Sequence, residues 1–144
     1  MSHPLHPALV HFPIAGWSLA TAADVASLWL GELAWRFAAV SMAIGCVVAL
    51  ATMAAGLWEF AKMPERSPAL PTANRHMLFA LAAFCAYATS LLLRWSQGEL
   101  HAPGMLALAV SIFGFLLLGA TGWLGGQLVY AHGIGVSKDS DSTE

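Results

Sequence analysis

The chain alternates long apolar runs with short polar interruptions. Four runs stand out, about Pro7 to Leu30, Ala34 to Phe60, Thr72 to Trp95 and Pro103 to Ala131. A bilayer core of about 30 Å takes roughly 20 mostly apolar residues of helix, so each run is long enough to cross. The connections Gly31 to Leu33 and Ser96 to Ala102 leave room only for a reversal, which makes neighbouring helices antiparallel. The pattern predicts an all-α, integral membrane four-helix bundle, up-down-up-down, over residues 1–136. A polar tail at 137–144, SKDSDSTE, reads as disordered by composition.

Trp29, Trp35 and Trp95 fall at the ends that carry the short turns, and Trp58, Tyr130 and Phe12 at the opposite, near ends, as aromatic belts at two interfaces would. Lys62, Arg66, Arg75 and Lys138 also fall at the near end, against Arg36 and Arg94 at the far end, so the positive-inside rule puts the near end in the cytoplasm. Histidines rather than Lys or Arg precede the first run and no small-residue cleavage site follows it, so that helix is expected to stay.

Composition sharpens this picture. Hydrophobic residues at 58% against charged residues at 10% lie outside the balance of soluble domains. Six Lys plus Arg and a net charge of −2 leave no basic patch to neutralise phosphates, which excludes nucleic acid as a partner. Cys46 and Cys85 each stand alone in an apolar run and are expected to fill core space; without a CxxCH motif, a haem would be held by coordination and packing. No serine or cysteine nucleophile stands beside a base in a recognisable motif, so an enzyme acting on a soluble substrate is not expected. Glycines and other small residues, Gly45, Gly56, Gly114, Gly119, Gly122, Gly125 and Gly126 among them, allow close helix contacts and a homodimer through glycine-rich faces.

The histidines carry the candidate chemistry. His11 lies about one turn inside the first helix, His76 opens the third and His132 closes the fourth, so connectivity alone brings three imidazoles to one depth at the near end. His3 and His6 precede the first helix, and His101 lies in a far-side turn. Ionisable groups inside a membrane default to functional suspects, and neutral imidazole ligates Fe, Cu and Zn. Two histidines from facing helices would make a six-coordinate iron, His11 pairing with His76 or with His132; the sequence leaves both open. His6 with His76 beside His11 with His132 is the crowded arrangement that would fit two haems, and one haem is expected. Gly125, Val129 and His132 form a strip along which a flat macrocycle could lie. Arg75, or else Arg66 or Lys62, is placed to meet haem propionates. Glu59 ends the second helix at the same depth, where it could accept the ring proton of a ligand histidine or take a proton from a quinol. Pro13 cannot donate to Leu9, so the first helix must kink or restart near His11. Asp24 would point roughly 140° away from His11 on an unbroken helix and is expected to face the bundle, paired with Arg94 or bonded to a Ser or Thr.

The opening HPALVHFPIAG (6–16), the Glu59 and His76 positions, and the closing GWLGGQLVYAHGIGV (122–136) resemble a bacterial family of small, uncharacterised four-helix membrane domains, over nearly the whole chain. That family is similar in size and histidine placement to b-type cytochrome domains, and some members are joined to Rieske iron–sulfur domains. The resemblance implies a bacterial inner membrane location, quinone-linked electron traffic, and roles for His11, His76 and His132, with His6 after them. Glu59 stands where an aspartate is expected in many relatives, and Asp24 looks family-like.

Three readings follow. The first is a b-type haem protein passing electrons between a quinone pool and a redox partner protein. The second is a Cu- or Zn-binding or transport module in which His3, His6, His11, His76 and His132 gather at the bundle mouth. The third is a structural or assembly subunit.

Overall fold

A computed structural model describes residues 5–136; His3, Lys138 and the polar tail lie outside the described residues. The chain forms α1 (Leu5–Leu9), α2 (His11–Leu30), α3 (Glu32–Phe60), α4 (Leu70–Leu92) and α5 (Met105–Tyr130), with a two-stranded ribbon, β1 (Trp95–Ser96) and β2 (Glu99–Leu100), between α4 and α5.

The first apolar run is broken in two. Pro13 has no N–H to give the Leu9 carbonyl, α1 ends at Leu9, Val10 is a turn, and a new helix starts at His11. His11 therefore opens α2 instead of lying a turn inside a continuous helix. Gly31 alone joins α2 to α3, with φ 70° and ψ −140°, a backbone conformation that side chains resist.

The third run stops short of Trp95. Its helix ends at Leu92, because Arg94 turns inward, its N–H bonding Leu91 O in a tighter turn. The next residues pair Trp95 with Leu100 and Ser96 with Glu99. Gln97 and Gly98 have φ of 53° and 83°, the mirror-image two-residue turn that suits strand twist.

Helices α3, α4 and α5, of 29, 23 and 26 residues, are long and apolar enough to cross a membrane. The fourth expected span, α2, reaches about 30 Å at 1.5 Å per residue, but its mean hydropathy is below that of the other three, with Ser18, Thr21, Asp24 and Ser27 along it. Two of those, Thr21 and Asp24, are buried inside the protein.

The helices pack through small residues. On α3 the buried positions Ala38, Met42, Gly45, Ala49 and Thr52 recur at steps of four and three, and on α5 Ala107, Ser111, Gly114, Leu118 and Thr121 do the same, the seam of a knobs-into-holes contact. Helix α2 runs against α3 in the opposite direction, Gly16 near Ser41 and Gly45, and His6 near Thr52 and Gly56. Likewise α4 runs against α5, from Ser90 at Ala107 to Thr72 at His132. The two pairs meet along α3 with α4 and α2 with α5.

Between them, Trp17 and Tyr87 stack at 4.8 Å with ring planes 13° apart. Hydroxyls from α2, α4 and α5 form a chain beside this stack. Ser111 Oγ lies 3.2 Å from Thr21 Oγ1, Thr21 Oγ1 2.8 Å from Tyr87 Oη, and Tyr87 Oη donates to Trp17 O at 3.2 Å, so these buried hydroxyls have partners.

Deeper towards the ribbon, Arg94 donates from both terminal nitrogens to Asp24 at 2.6 Å each, from Nε to Ser90 O, and also to Ser90 Oγ. Both side chains are fully buried. The expectation that Asp24 faces the bundle is met, with Arg94 as its partner.

One expectation about small residues changes. Cys46 packs half-buried beside the core, but Cys85 is exposed on α4 and fills no core space. Gly45, Gly56, Gly114 and Gly125 are occupied by ring contacts within the chain, while Gly119 and Gly122 meet nothing within 4 Å.

Candidate functional site

The near ends of the helices hold two adjoining cavities with largely apolar walls. One, of about 420 Å³, runs between α2 and α5 and is lined by His6, Val10, His11, His76, Gly125 and Val129 among others. The other, of about 470 Å³, lies between α3 and α4 and is lined by His6, Met53, Gly56, Phe60, His76 and Met77 among others. His6 and His76 belong to both walls and stand where the cavities meet.

These two imidazoles come from different helices and lie beside one another. Their ring centroids are 6.1 Å apart and their planes cross at 85°. His6 Nδ1 lies 2.9 Å from Thr52 O on α3, and His76 Nδ1 lies 3.0 Å from Thr121 O on α5. A carbonyl only accepts, so each Nδ1 carries the proton and each Nε2 keeps its lone pair.

The backbone under both rings is glycine. A Cβ on Gly56 would meet His6 Nδ1 at 2.9 Å, and one on Gly125 would meet His76 Cε1 at 3.4 Å. Gly125 thus serves a histidine on α4. The strip from Gly125 to His132 is not continuous in the cavity wall, which includes Val129 but not His132.

The other sequence candidates separate. His11 is exposed at the wall of the first cavity. His132 lies outside both cavities, its Nε2 3.3 Å from Thr72 Oγ1. The expected trio of His11, His76 and His132 is therefore not assembled. Among the described residues no three His, Cys, Asp or Glu side chains gather closely enough to hold a metal ion.

Arg75 is exposed and belongs to neither wall; Asn74, its neighbour, lines the second cavity. Glu59 lines both cavities, but its Oε1 accepts the backbone N–H of His6 at 3.3 Å, not an imidazole proton. It forms no ion pair among the described residues: Lys62 sits instead over the Trp58 ring at 4.7 Å. His101 is exposed just past β2, in the far-side connection where the sequence put it, with Nε2 3.3 Å from Ser96 O.

Sequence reasoning missed Thr52 and Thr121, whose carbonyls orient the rings, and ranked His6 last. A usable signal was the pair of Thr-x-x-x-Gly stretches, Thr52 to Gly56 and Thr121 to Gly125.

A helical fold with three segments able to cross a bilayer, small-residue seams and an outer surface crowded with exposed Leu, Val, Ile and Phe defines a multi-pass membrane protein in contact with lipid. The chain belongs to the family described as Predicted membrane protein (DUF2231), whose model matches residues 2–138. No curated protein and no solved structure matches it.

Proposed function

We propose that this protein is a b-type haem electron carrier of the bacterial inner membrane, whose haem would be held by His6 and His76. One observation carries the reading: two perpendicular imidazoles at 6.1 Å, each with Nδ1 fixed by a backbone carbonyl. Ligand histidines characteristically donate their second ring nitrogen in this way, which sets tautomer and orientation. Two imidazoles this close, each with its Nε2 left free, are the donor set that would hold a haem iron. The residues present therefore fit a bis-histidine haem. When bound, such a haem supplies one-electron transfer.

The chain's own part is to hold and insulate. Thr52 O and Thr121 O keep both rings in one tautomer, and Gly56 and Gly125 let the helices approach them. Met53, Ala80 and Leu128 line both cavities and exclude water, lowering the local dielectric. Glu59 stands at the edge of both and is the group able to take a proton where a membrane quinone delivers electrons. A soluble or membrane redox protein is the second partner.

This reading takes α2 as the fourth span of an up-down-up-down bundle. Its one carboxylate is neutralised by Arg94 inside the protein, while Phe12, Leu19, Leu28 and Leu30 face outward. Arg94, being buried, no longer counts as an interfacial charge. Lys62, Arg66 and Arg75 then stand against Arg36, supporting a cytoplasmic histidine end.

A copper or zinc site is the second reading. It is weaker, since zinc takes three or four protein ligands and the described residues offer two imidazoles.

The test is the absorbance spectrum of detergent-purified, haem-supplemented protein, oxidised and then dithionite-reduced. A Soret band and sharp α and β bands are expected, and both disappear in H6A and H76A. Folded protein that takes up no haem overturns the proposal, and stoichiometric Zn or Cu without iron replaces it with the metal reading.

A further inference from the structure

The imidazole pair is one of a series. His6 and His76, Trp17 and Tyr87, and Asp24 and Arg94 are each 70 positions apart in the chain. Each pair is in direct contact, through crossed rings, stacked rings and a doubled ion pair respectively. The seams of α3 and α5 correspond at a separation of 69: Ala38 with Ala107, Gly45 with Gly114, Ala49 with Leu118, Thr52 with Thr121, Gly56 with Gly125.

Corresponding residues do corresponding work. Gly45 makes room for Trp17 as Gly114 does for Tyr87. Thr52 O holds His6 as Thr121 O holds His76, and both threonine hydroxyls donate four residues back, to Val48 O and Leu117 O.

A residue that touches its own counterpart lies next to the axis relating the two halves. Three such pairs, strung from α1 along α2 on one side and along α4 to just past its end on the other, mark a two-fold axis that runs lengthwise through the protein, with α1–α3 on one side and α4–α5 on the other. The cavities obey the same operation. Pro7, His11, Gly125 and Val129 of the first correspond to Met77, Leu81, Gly56 and Phe60 of the second.

We infer that the two cavities are the equivalent arms of one slot, and that a flat macrocycle occupies both, with His6 and His76 interchangeable as its axial ligands. The inference rests on the haem reading above and deepens it. Protohaem has unlike edges, whereas corresponding positions around the two histidines line both arms and the arms are close in volume, about 420 and 470 Å³, so the site distinguishes weakly between the two orientations related by a half-turn about the internal axis. The differences left to discriminate are Pro7 against Met77, His11 against Leu81, Val129 against Phe60 and the closer approach of Gly56 to its ring.

Proton NMR of the haem-loaded, oxidised protein tests this on the unaltered chain. Two sets of shifted haem methyl signals are expected, with populations within about threefold of each other. A second measurement compares H6M with H76M: both should give the same change from bis-histidine to histidine–methionine spectra. A single set of methyl signals overturns the inference and leaves the haem reading intact; one variant that keeps the bis-histidine spectrum while the other loses it overturns the inference and also removes that histidine from the ligand pair. Failure of the unaltered protein to bind haem overturns both.

Discussion

Asp24 on α2 and Arg94 beyond the end of α4 meet through two bonds of 2.6 Å with both side chains wholly out of solvent. A charge left alone at such a depth is expensive, and breaking one buried pair by removing a partner costs about 3–5 kcal/mol. D24N and R94Q should each lower the thermal midpoint in detergent and reduce the yield of monodisperse protein. The doubly altered D24N/R94Q chain should recover part of the loss, because no unpaired charge remains. Equal destabilisation in all three would show that the pair's worth lies outside its charge.

The two histidines that line both cavities should differ from the two that do not. H6A and H76A are expected to lose the Soret band after haem supplementation. H11A and H132A should keep it, since His11 is exposed at one wall and His132 bonds Thr72 outside both. Difference spectra on the four variants decide this, and loss of the band in H132A alone would move the ligand assignment to the turn after α5.

Gly56 and Gly125 make a graded pair. A methyl on Gly56 would come within 2.9 Å of His6 Nδ1, whereas on Gly125 the nearest ring atom is 3.4 Å away. G56A should therefore push the His6 ring off Thr52 O and weaken haem retention by about tenfold, in keeping with the loss of an orienting contact. G125A should lie within about twofold of the parent on the same scale of ligand support. Haem transfer to apomyoglobin measures both.

Gly45 passes closest of all to a neighbour, its added Cβ lying 2.6 Å from two atoms of the Trp17 ring. Trp17 is buried and stacked on Tyr87, so it has nowhere to yield. G45A should cost about 1–3 kcal/mol by overpacking, read as a lower thermal midpoint with helix content unchanged by circular dichroism.

On the surface the opposite holds. Arg36 and Glu32 bond at 2.6 Å but stand well exposed, four residues apart on α3, and such pairs contribute about 0.3–0.5 kcal/mol. E32A should leave the thermal midpoint within a degree or two, a shift of the size expected for so small a change.

Much of this was legible in the order of residues. Runs of apolar length located α2 to α5, the short turns set the helices side by side, and helical angle separated Asp24 from the histidines and pointed it at Arg94. The choice of imidazoles was not legible in the same way. His6 and His11 differ by about 140° around an ideal helix, so which ring faces inward depends on where the helix breaks. Pro13 says that it breaks, but the position of the break at Val10 comes from how α1 settles on α3. The ribbon after Leu92 was hidden because Arg94's inward bond, not local propensity, ends α4. The repeat was hidden too. Corresponding positions keep a size or a contact, not an identity, as Trp17 with Tyr87 and Asp24 with Arg94 make plain.

Helix α1 delivers its imidazole from a five-residue piece beyond the Val10 turn, and the ring opposite arrives on α4. In a growing polypeptide those two contributions are separated by the whole of α2 and α3, and Thr121, which steadies the later one, is made later still. A chain halted after its first hairpin owns half a grip and can keep nothing that needs both rings. On the haem reading, a grip that needs both rings would therefore close only after α5 has supplied Thr121.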